Sequence, residues 1–440
     1  MPELVIAPAR NLSGAVRLPG DKSLSHRCAL LAALGEGESK LANYSNGADC
    51  QSSLACVQAL GATVTRAEAD PSQVTITGVG LHGLRAPTGD LDAGNSGSTI
   101  RMFSGVLAAQ PFASTIGGDA SLSRRPMRRI TDPLRQMGAQ ITAADGDRPP
   151  LHFQPPAQPL RAIEYVLPVA SAQVKSAILL AGLFAQGTTI VVEPLATRDH
   201  TENLLRHLGV PLRRRLRPRA QIEIDGPVQQ LAPLAQFSIP GDPSSAAFFL
   251  GAAAMFPESD LLVEDVSLNP TRSALLDLFA RMGAQPQVVS VDDRGGELAG
   301  SLHLVRNGGR LTGATVEGAE AVALIDEIPI LAVLATTTRD GIDFKDVGEL
   351  RVKESDRLTA IAQNLRAMGA TCKERPDGLF VPGHQQLHGA RITTHDDHRI
   401  AMAFAIAALV ASGDTTIDHP ECAAISFPDF YTTLDRLADR

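Results

Sequence analysis

Lys22, Ser23 and Arg27 crowd into one short stretch, Gly20–Arg27 (GDKSLSHR), immediately ahead of an apolar run. Further cations recur along the chain at Arg101, Arg125, Lys175, Arg198, Lys353, Arg357 and Arg399. Guanidinium, ammonium and hydroxyl groups gathered in this way hold phosphates and carboxylates. Two acids stand among them: Asp326 in Asp326-Glu327, and Glu354 in Lys353-Glu354-Ser355-Asp356-Arg357. A desolvated acid flanked by cations is suited to moving protons on an anionic substrate. Asp326 reads equally well as a helix cap, whereas Glu354, between Lys353 and Arg357, does not. Ser25 and His26 of the first stretch read as local caps. Acid–base chemistry on small polyanions is the expectation.

Other chemistries fit poorly. Lys22-Ser23 follows VRLPGD rather than the GxxxxG of a P-loop, and Gly94–Thr99 (GNSGST) matches neither GxGxxG nor the GxSxG elbow. His395-Asp396-Asp397-His398 has helical ligand spacing, but no further His/Cys cluster completes a metal site, so no metal is expected. The five cysteines show no CxxC spacing or nucleophile signature and read as reduced thiols.

These residues must be positioned by something that repeats. A helix-like segment ending in Leu/Met-Gly recurs at Gly61, Gly138, Gly209, Gly283 and Gly369, at spacings of 77, 71, 74 and 86 residues. Each glycine is expected to terminate its helix in a left-handed conformation. A further helix of this kind is expected over 429–440. Midway between lie second helices with bodies apolar nearly all round and polar starts at 20–27, 93–101, 170–177, 241–248, 325–330 and 395–402. Such helices belong inside a domain. Strand patterns follow at 74–77, 188–192, 261–266 and 415–418. The expected fold is α/β: six βαβαββ units in two similar domains of three, joined by a two-strand hinge. A seam near Gln236–Ser238, and pairing of the first strand near Leu4–Ala7 with the last unit, give domains of 18–237 and of 1–17 plus 238–440. The six helix N-termini, each favouring an anion by about 0.3–1 kcal/mol, would line one cleft between the domains.

Composition agrees. At 440 residues the chain is long enough for two domains; 44% of residues are hydrophobic and 20% charged, as in a globular protein. A net charge of −8 argues against nucleic-acid binding, and the basic run Arg213–Arg219 reads as a solvated strand edge. The longest apolar stretches, 400–411 and 246–256, are too short to span a bilayer. With no leader-like N-terminus, a cytoplasmic location is expected.

In family order, the motifs GDKSLSHR (20–27), Gly94–Arg101, RRPMRR (124–129), SAQVK (171–175), RDHTE (198–202), NPTR (269–272), Asp326-Glu327, LRVKESDR (350–357) and DHRIAM (397–402) resemble the 5-enolpyruvylshikimate-3-phosphate synthase family. The resemblance implies a fold of two domains with three βαβαββ units each. It implies addition of the 5-hydroxyl of shikimate 3-phosphate to C2 of phosphoenolpyruvate with protonation at C3, then loss of phosphate. No metal, cofactor or covalent enzyme intermediate is implied. Carried onto this sequence, Lys22, Ser23, Arg27, Ser171, Gln173, Arg198, Asp326 and Lys353 bind shikimate 3-phosphate. Lys22, Gly97, Arg125, Gln173, Arg357 and Arg399 face phosphoenolpyruvate. Asp326 is the base for the hydroxyl, and Glu354, assisted by Lys22, exchanges the proton at C3. Glyphosate is implied as an inhibitor. GDKS, SAQVK, RDHTE and NPTR resemble the tolerant class, and Ile425 stands where the sensitive class carries Lys. Gly97 departs from one tolerant member, which has Ala there. A monomer is expected. A sister enolpyruvyl transferase acting on UDP-N-acetylglucosamine would use a loop Cys, and none lies between Cys56 and Cys372. A non-catalytic anion binder would not need Asp326 and Glu354.

Overall fold

A computed structural model describes residues 3–215 and 219–440. It divides into two compact units. One comprises the chain up to Pro19 together with Pro240–Asp293 and Leu298–Arg440; the other comprises Gly20–Ile239 and Arg294–Glu297. The boundaries at Pro19 and Ile239 lie two residues from the positions the sequence suggests, and the short stretch 294–297 groups with the other unit.

Six buried helices carry the polar starts: α1 (Lys22–Leu34), α2 (Gly97–Leu107), α3 (Ala172–Gly182), α4 (Pro243–Met255), α5 (Ile328–Thr337) and α6 (His398–Leu409). Their starts follow from capping chemistry. Asp21, Ser96, Ser171, Asp242 and Asp397 each accept a backbone N–H of the first turn through the side chain, which satisfies one of the donors a helix start leaves open. In α5 the cap residue Glu327 makes no such bond, and Pro329 sets the first turn. Small residues let these helices approach closely. A Cβ on Gly105 of α2 would stand 2.2 Å from the Ala177 carbonyl oxygen of α3, so only glycine permits this contact.

In the unit containing Gly20–Ile239, the sheet order Leu91–Asp92, Ser114–Gly117, Arg148–Gln154, Gln140–Ala144 starts with a parallel pair and closes with a hairpin. The parallel crossover passes through α2, so the unit reads βαβαββ. Glu164–Val166, Gly187–Glu193, Ala220–Gly226 and Leu212–Arg215 repeat this order around α3. In the third sheet the leading strand comes from the far end of the segment: Gln236–Ser238 runs parallel to Glu36–Ala42. The other unit substitutes strands in the same manner. Asn11–Arg17 leads the repeat of α4 by pairing in parallel with Asp260–Ser267. Ala314–Val316 and Ile342–Phe344 form the parallel pair around α5. Around α6, Arg391–Ile392 pairs with Thr415–Asp418, and Glu3–Ile6 closes that sheet antiparallel. The first strand therefore pairs with the last repeat, as its position suggested.

Gly61, Gly138, Gly209, Gly283 and Gly369 all have φ between 84° and 108°. Each follows a helix and takes the left-handed conformation its spacing predicts. The last helix is a correction. It covers Phe430–Leu437 rather than 429–440, because Ala438–Asp439 pair with Asn11–Leu12 as an added strand. The basic run begins on the edge strand Leu212–Arg215, where Arg213 pairs with Glu223 and Asp225; Leu216–Pro218 lie outside the described residues.

Candidate functional site

Each unit gathers its own set of polar groups at the helix starts. In the unit containing Gly20–Ile239, α1 places Lys22 beside Asp49, with Nζ 3.0 Å from Oδ2. Arg27, one turn further in, is buried. Its Nε donates to Thr201 Oγ1 at 2.7 Å, Nη1 to the Ser23 carbonyl at 2.8 Å and Nη2 to Ser176 Oγ at 2.9 Å. Burial lowers its pKa to about 10, with Glu202 opposing the shift; Arg27 is a fixed cation at neutral pH. Arg198 Nη1 donates to Ser23 Oγ at 3.4 Å. Lys22, Ser23, Arg27 and Arg198 thus form one group.

A second group lies at the starts of α2 and α3. Arg101 Nη1 donates to Gln173 Oε1 at 2.7 Å, and Gln173 Nε2 donates to Ser98 Oγ at 2.9 Å. Arg125 Nη2 donates to Asn95 Oδ1 at 2.7 Å. Both guanidinium groups border Gly97: a Cβ there would stand 2.6 Å from Arg101 Nη1 and 3.4 Å from Arg125 Nη1. Ser171 caps α3 by accepting from Val174 N.

Two expectations need correction. Lys175 is not a cation at a helix mouth. Its side chain is fully buried, with Nζ 3.0 Å from Glu193 Oε1 and 2.6 Å from Glu202 Oε1. The direction of its side chain from α3 is invisible to a pattern of charges along the chain. Nor do Ser25 and His26 make local caps. Ser25 Oγ accepts from Ser45 N, and His26 Nδ1 lies 2.7 Å from Ser53 Oγ. Ser53 is 2.8 Å from Thr99 Oγ1, which donates to the α2 cap Ser96. This chain of bonds ties α1, the helix Ala48–Ala59 and α2 together behind Lys22. Burial first, then the charges of Lys22 and Arg27, push the His26 imidazole well below its ordinary range, so it is neutral.

In the other unit, the start of α5, the turn before the helix Arg357–Ala367, and the start of α6 converge. Asp326 Oδ1 lies 3.7 Å from Lys353 Nζ and 3.6 Å from Arg357 Nη1. Arg399 Nη1 donates to the Asp326 carbonyl at 2.9 Å. Glu354 Oε2 accepts from Arg357 Nη2 at 2.6 Å. Asp326, Lys353, Glu354, Arg357 and Arg399 are therefore neighbours, although the sequence spreads them over more than seventy positions. Arg357 Nη1 is buried and has no hydrogen-bond partner among the described residues.

Sequence reasoning missed the groups that hold these side chains. Asp397 caps α6 and also binds the Arg357 guanidinium, at 2.8 Å to Nε and 3.2 Å to Nη2. Burial alone would raise its carboxyl, but Arg357 outweighs this and holds it below the usual carboxylate range. The aspartates that cap α1 and α4 were the available signal for the cap; nothing local announces the pair with Arg357. Arg272 of NPTR serves the structure too, donating to Ser244 Oγ, which donates in turn to Glu327 beside Asp326.

βαβαββ repeats whose buried-helix starts bring together cations, hydroxyls and paired carboxylates define a class of enzymes acting on small polyanions. A family described as EPSP synthase (3-phosphoshikimate 1-carboxyvinyltransferase) matches residues 6–434. The 3-phosphoshikimate 1-carboxyvinyltransferase of Solibacter usitatus is 49% identical over 434 residues, covering 99% of both chains. That of Koribacter versatilis is 50% identical over 440 residues and covers both chains fully. The solved EPSP synthase of Acinetobacter baumannii superposes with a TM-score of 0.86 at 39% identity, covering 99% of this chain and 98% of its own. The chain belongs to the EPSP synthase family, and its activity is that of a 3-phosphoshikimate 1-carboxyvinyltransferase.

Proposed function

We propose that the two sets of residues serve one substrate pair, shikimate 3-phosphate and phosphoenolpyruvate. The observation that carries the assignment of roles is the cluster around Asp326: two carboxylates, Asp326 and Glu354, share the Arg357 guanidinium beside Lys353 and Arg399. Simple anion binding needs the cations but not the acids.

Both substrates are polyanions, so holding them together is a like-charge problem that fixed cations offset. Lys22, Ser23, Arg27, Ser171, Gln173, Arg198, Asp326 and Lys353 bind shikimate 3-phosphate. Lys22, Gly97, Arg125, Gln173, Arg357 and Arg399 take phosphoenolpyruvate, with the spare Nη1 of Arg357 as one donor. Asp326 accepts the proton of the 5-hydroxyl as its oxygen bonds to C2. Glu354, assisted by Lys22, delivers a proton to C3, which completes a tetrahedral adduct. Removal of a C3 proton by the same group expels phosphate and restores the double bond. Glyphosate competes with phosphoenolpyruvate for this site.

The chain works as a cytoplasmic monomer. In support of a location off the membrane, no helix among the described residues is long and apolar enough to cross one. Phosphate release measured with shikimate 3-phosphate or with UDP-N-acetylglucosamine as acceptor tests the reading. Release is expected only with the former, and release with the latter alone would overturn it.

A further inference from the structure

The segment Thr197–Glu202 is anchored at several points, and Arg198 within it reaches Ser23. Strand Gly187–Glu193 ends in Glu193, whose side chain is fully buried. Glu193 Oε1 accepts from the Thr197 amide at 3.2 Å and from Thr197 Oγ1 at 2.5 Å. The Thr197 carbonyl accepts from Lys175 Nζ at 3.5 Å. Lys175 also pairs with Glu193 and with Glu202, which lies in the first turn of the helix His200–His207, four residues after Arg198. Thr201 is held by Ser176 and Arg27. The amide, hydroxyl and carbonyl of residue 197 are thus all tied, and the next side chain, Arg198, reaches Ser23.

Three ionisable side chains at essentially zero exposure are an expensive way to fill a core. Apolar residues of similar volume are commonly as stable or more so. Burial of this kind is explained when the charges fix a geometry that apolar packing leaves loose. Here the geometry fixed is the peptide that launches Arg198.

We propose that the buried Lys175–Glu193–Glu202 cluster is a positioning device for Arg198. None of its three members contacts substrate; they hold residue 197 so that the Arg198 guanidinium is preset beside Ser23 and Arg27. The binding consequence rests on the assignment of Arg198 to shikimate 3-phosphate made above.

The test uses the full chain carrying Glu193→Ala, Glu193→Gln, Thr197→Val or Arg198→Ala, with two readouts. In the ligand-free protein, hydrogen exchange of a peptide spanning 194–199 should quicken at least about tenfold in Glu193→Ala. Glu193→Gln keeps an acceptor oxygen for Thr197 but loses the charge paired with Lys175, so it should quicken exchange less than Glu193→Ala. In steady-state kinetics Glu193→Ala should raise KM for shikimate 3-phosphate about three- to tenfold, with kcat and KM for phosphoenolpyruvate nearly unchanged. It should add nothing in an Arg198→Ala background. If Glu193→Ala does not fold, Thr197→Val, which removes one tie, should give a smaller effect of the same pattern. Unchanged exchange at 194–199, equal rises in both KM values, or full additivity with Arg198→Ala would overturn the proposal. An Arg198→Ala enzyme with wild-type KM for shikimate 3-phosphate would instead overturn the substrate assignment of Arg198, leaving the anchoring to be decided by exchange alone.

Discussion

Arg357 and Asp397 meet in a buried, two-pronged ion pair, Nε to Oδ2 at 2.8 Å and Nη2 to Oδ1 at 3.2 Å, with Arg357 only 1% exposed. Nη2 bonds Glu354 as well as Asp397, and Nη1 faces Asp326. Asp397→Asn keeps the helix cap but removes the charge that aligns the guanidinium. Loss of one partner of a buried pair costs about 3–5 kcal/mol when nothing relaxes. Part of that loss should appear as a fall of about 10²-fold in kcat/KM for phosphoenolpyruvate. Steady-state kinetics with each substrate varied in turn will check it; an equal loss for both substrates would contradict the assignment of Arg357.

In the proposed mechanism Asp326 and Glu354 carry the proton transfers, so removing Glu354 should act mainly on turnover, and removing Asp326, which also binds shikimate 3-phosphate there, on turnover and on KM for that substrate. Asp326→Ala or Glu354→Gln is expected to lower kcat by ~10²–10⁴-fold, the usual worth of a placed acid or base. Wild-type turnover in either variant would remove that residue from the mechanism.

His26 makes stability depend on pH with a definite sign. The folded protein holds the imidazole neutral, well below the ordinary value of 6.5, while the unfolded chain protonates normally. Between the two values the unfolded state binds more protons, so its contribution is full above about 6.5 and is lost as pH falls below it, by at most ~1.4 kcal/mol per pH unit. Urea melts at pH 7.5 and 5 should show a larger loss for wild type than for His26→Asn. Identical losses would mean that His26 titrates normally.

Gly97→Ala places a methyl 2.6 Å from Arg101 Nη1 and 3.4 Å from Arg125 Nη1. The near atom is the end of a long side chain, so Arg101 shifts and the helix stays. Glyphosate inhibition should weaken more than phosphoenolpyruvate KM rises, because the added bulk meets the longer ligand. Unchanged inhibition constants would show that the methyl does not reach that ligand.

Much of the fold was legible because its determinants are local. The glycines at 61, 138, 209, 283 and 369 end helices through their own φ angles, and Asp21, Ser96, Ser171 and Asp397 start them through bonds two or three residues long. The candidate site residues were legible as types, and the structure gathers Lys22, Ser23, Arg27 and Arg198 in one group and Asp326, Lys353, Glu354, Arg357 and Arg399 in another.

By itself the sequence determined the repeats, their caps and the kinds of side chain at each helix start, since these depend on spacing within a turn or a unit. Tertiary structure alone decided which of those charges are available and which are spent internally. Lys175 and Lys22 look alike in sequence, each near the start of an apolar helix. Lys175 is sealed between Glu193 and Glu202, whereas Lys22 pairs with Asp49 at a partly exposed position. The same holds for Arg27 with Thr201, Arg357 with Asp397, and His26 with Ser53. Their partners lie from 27 to 174 residues away, and no local propensity encodes a contact at that separation.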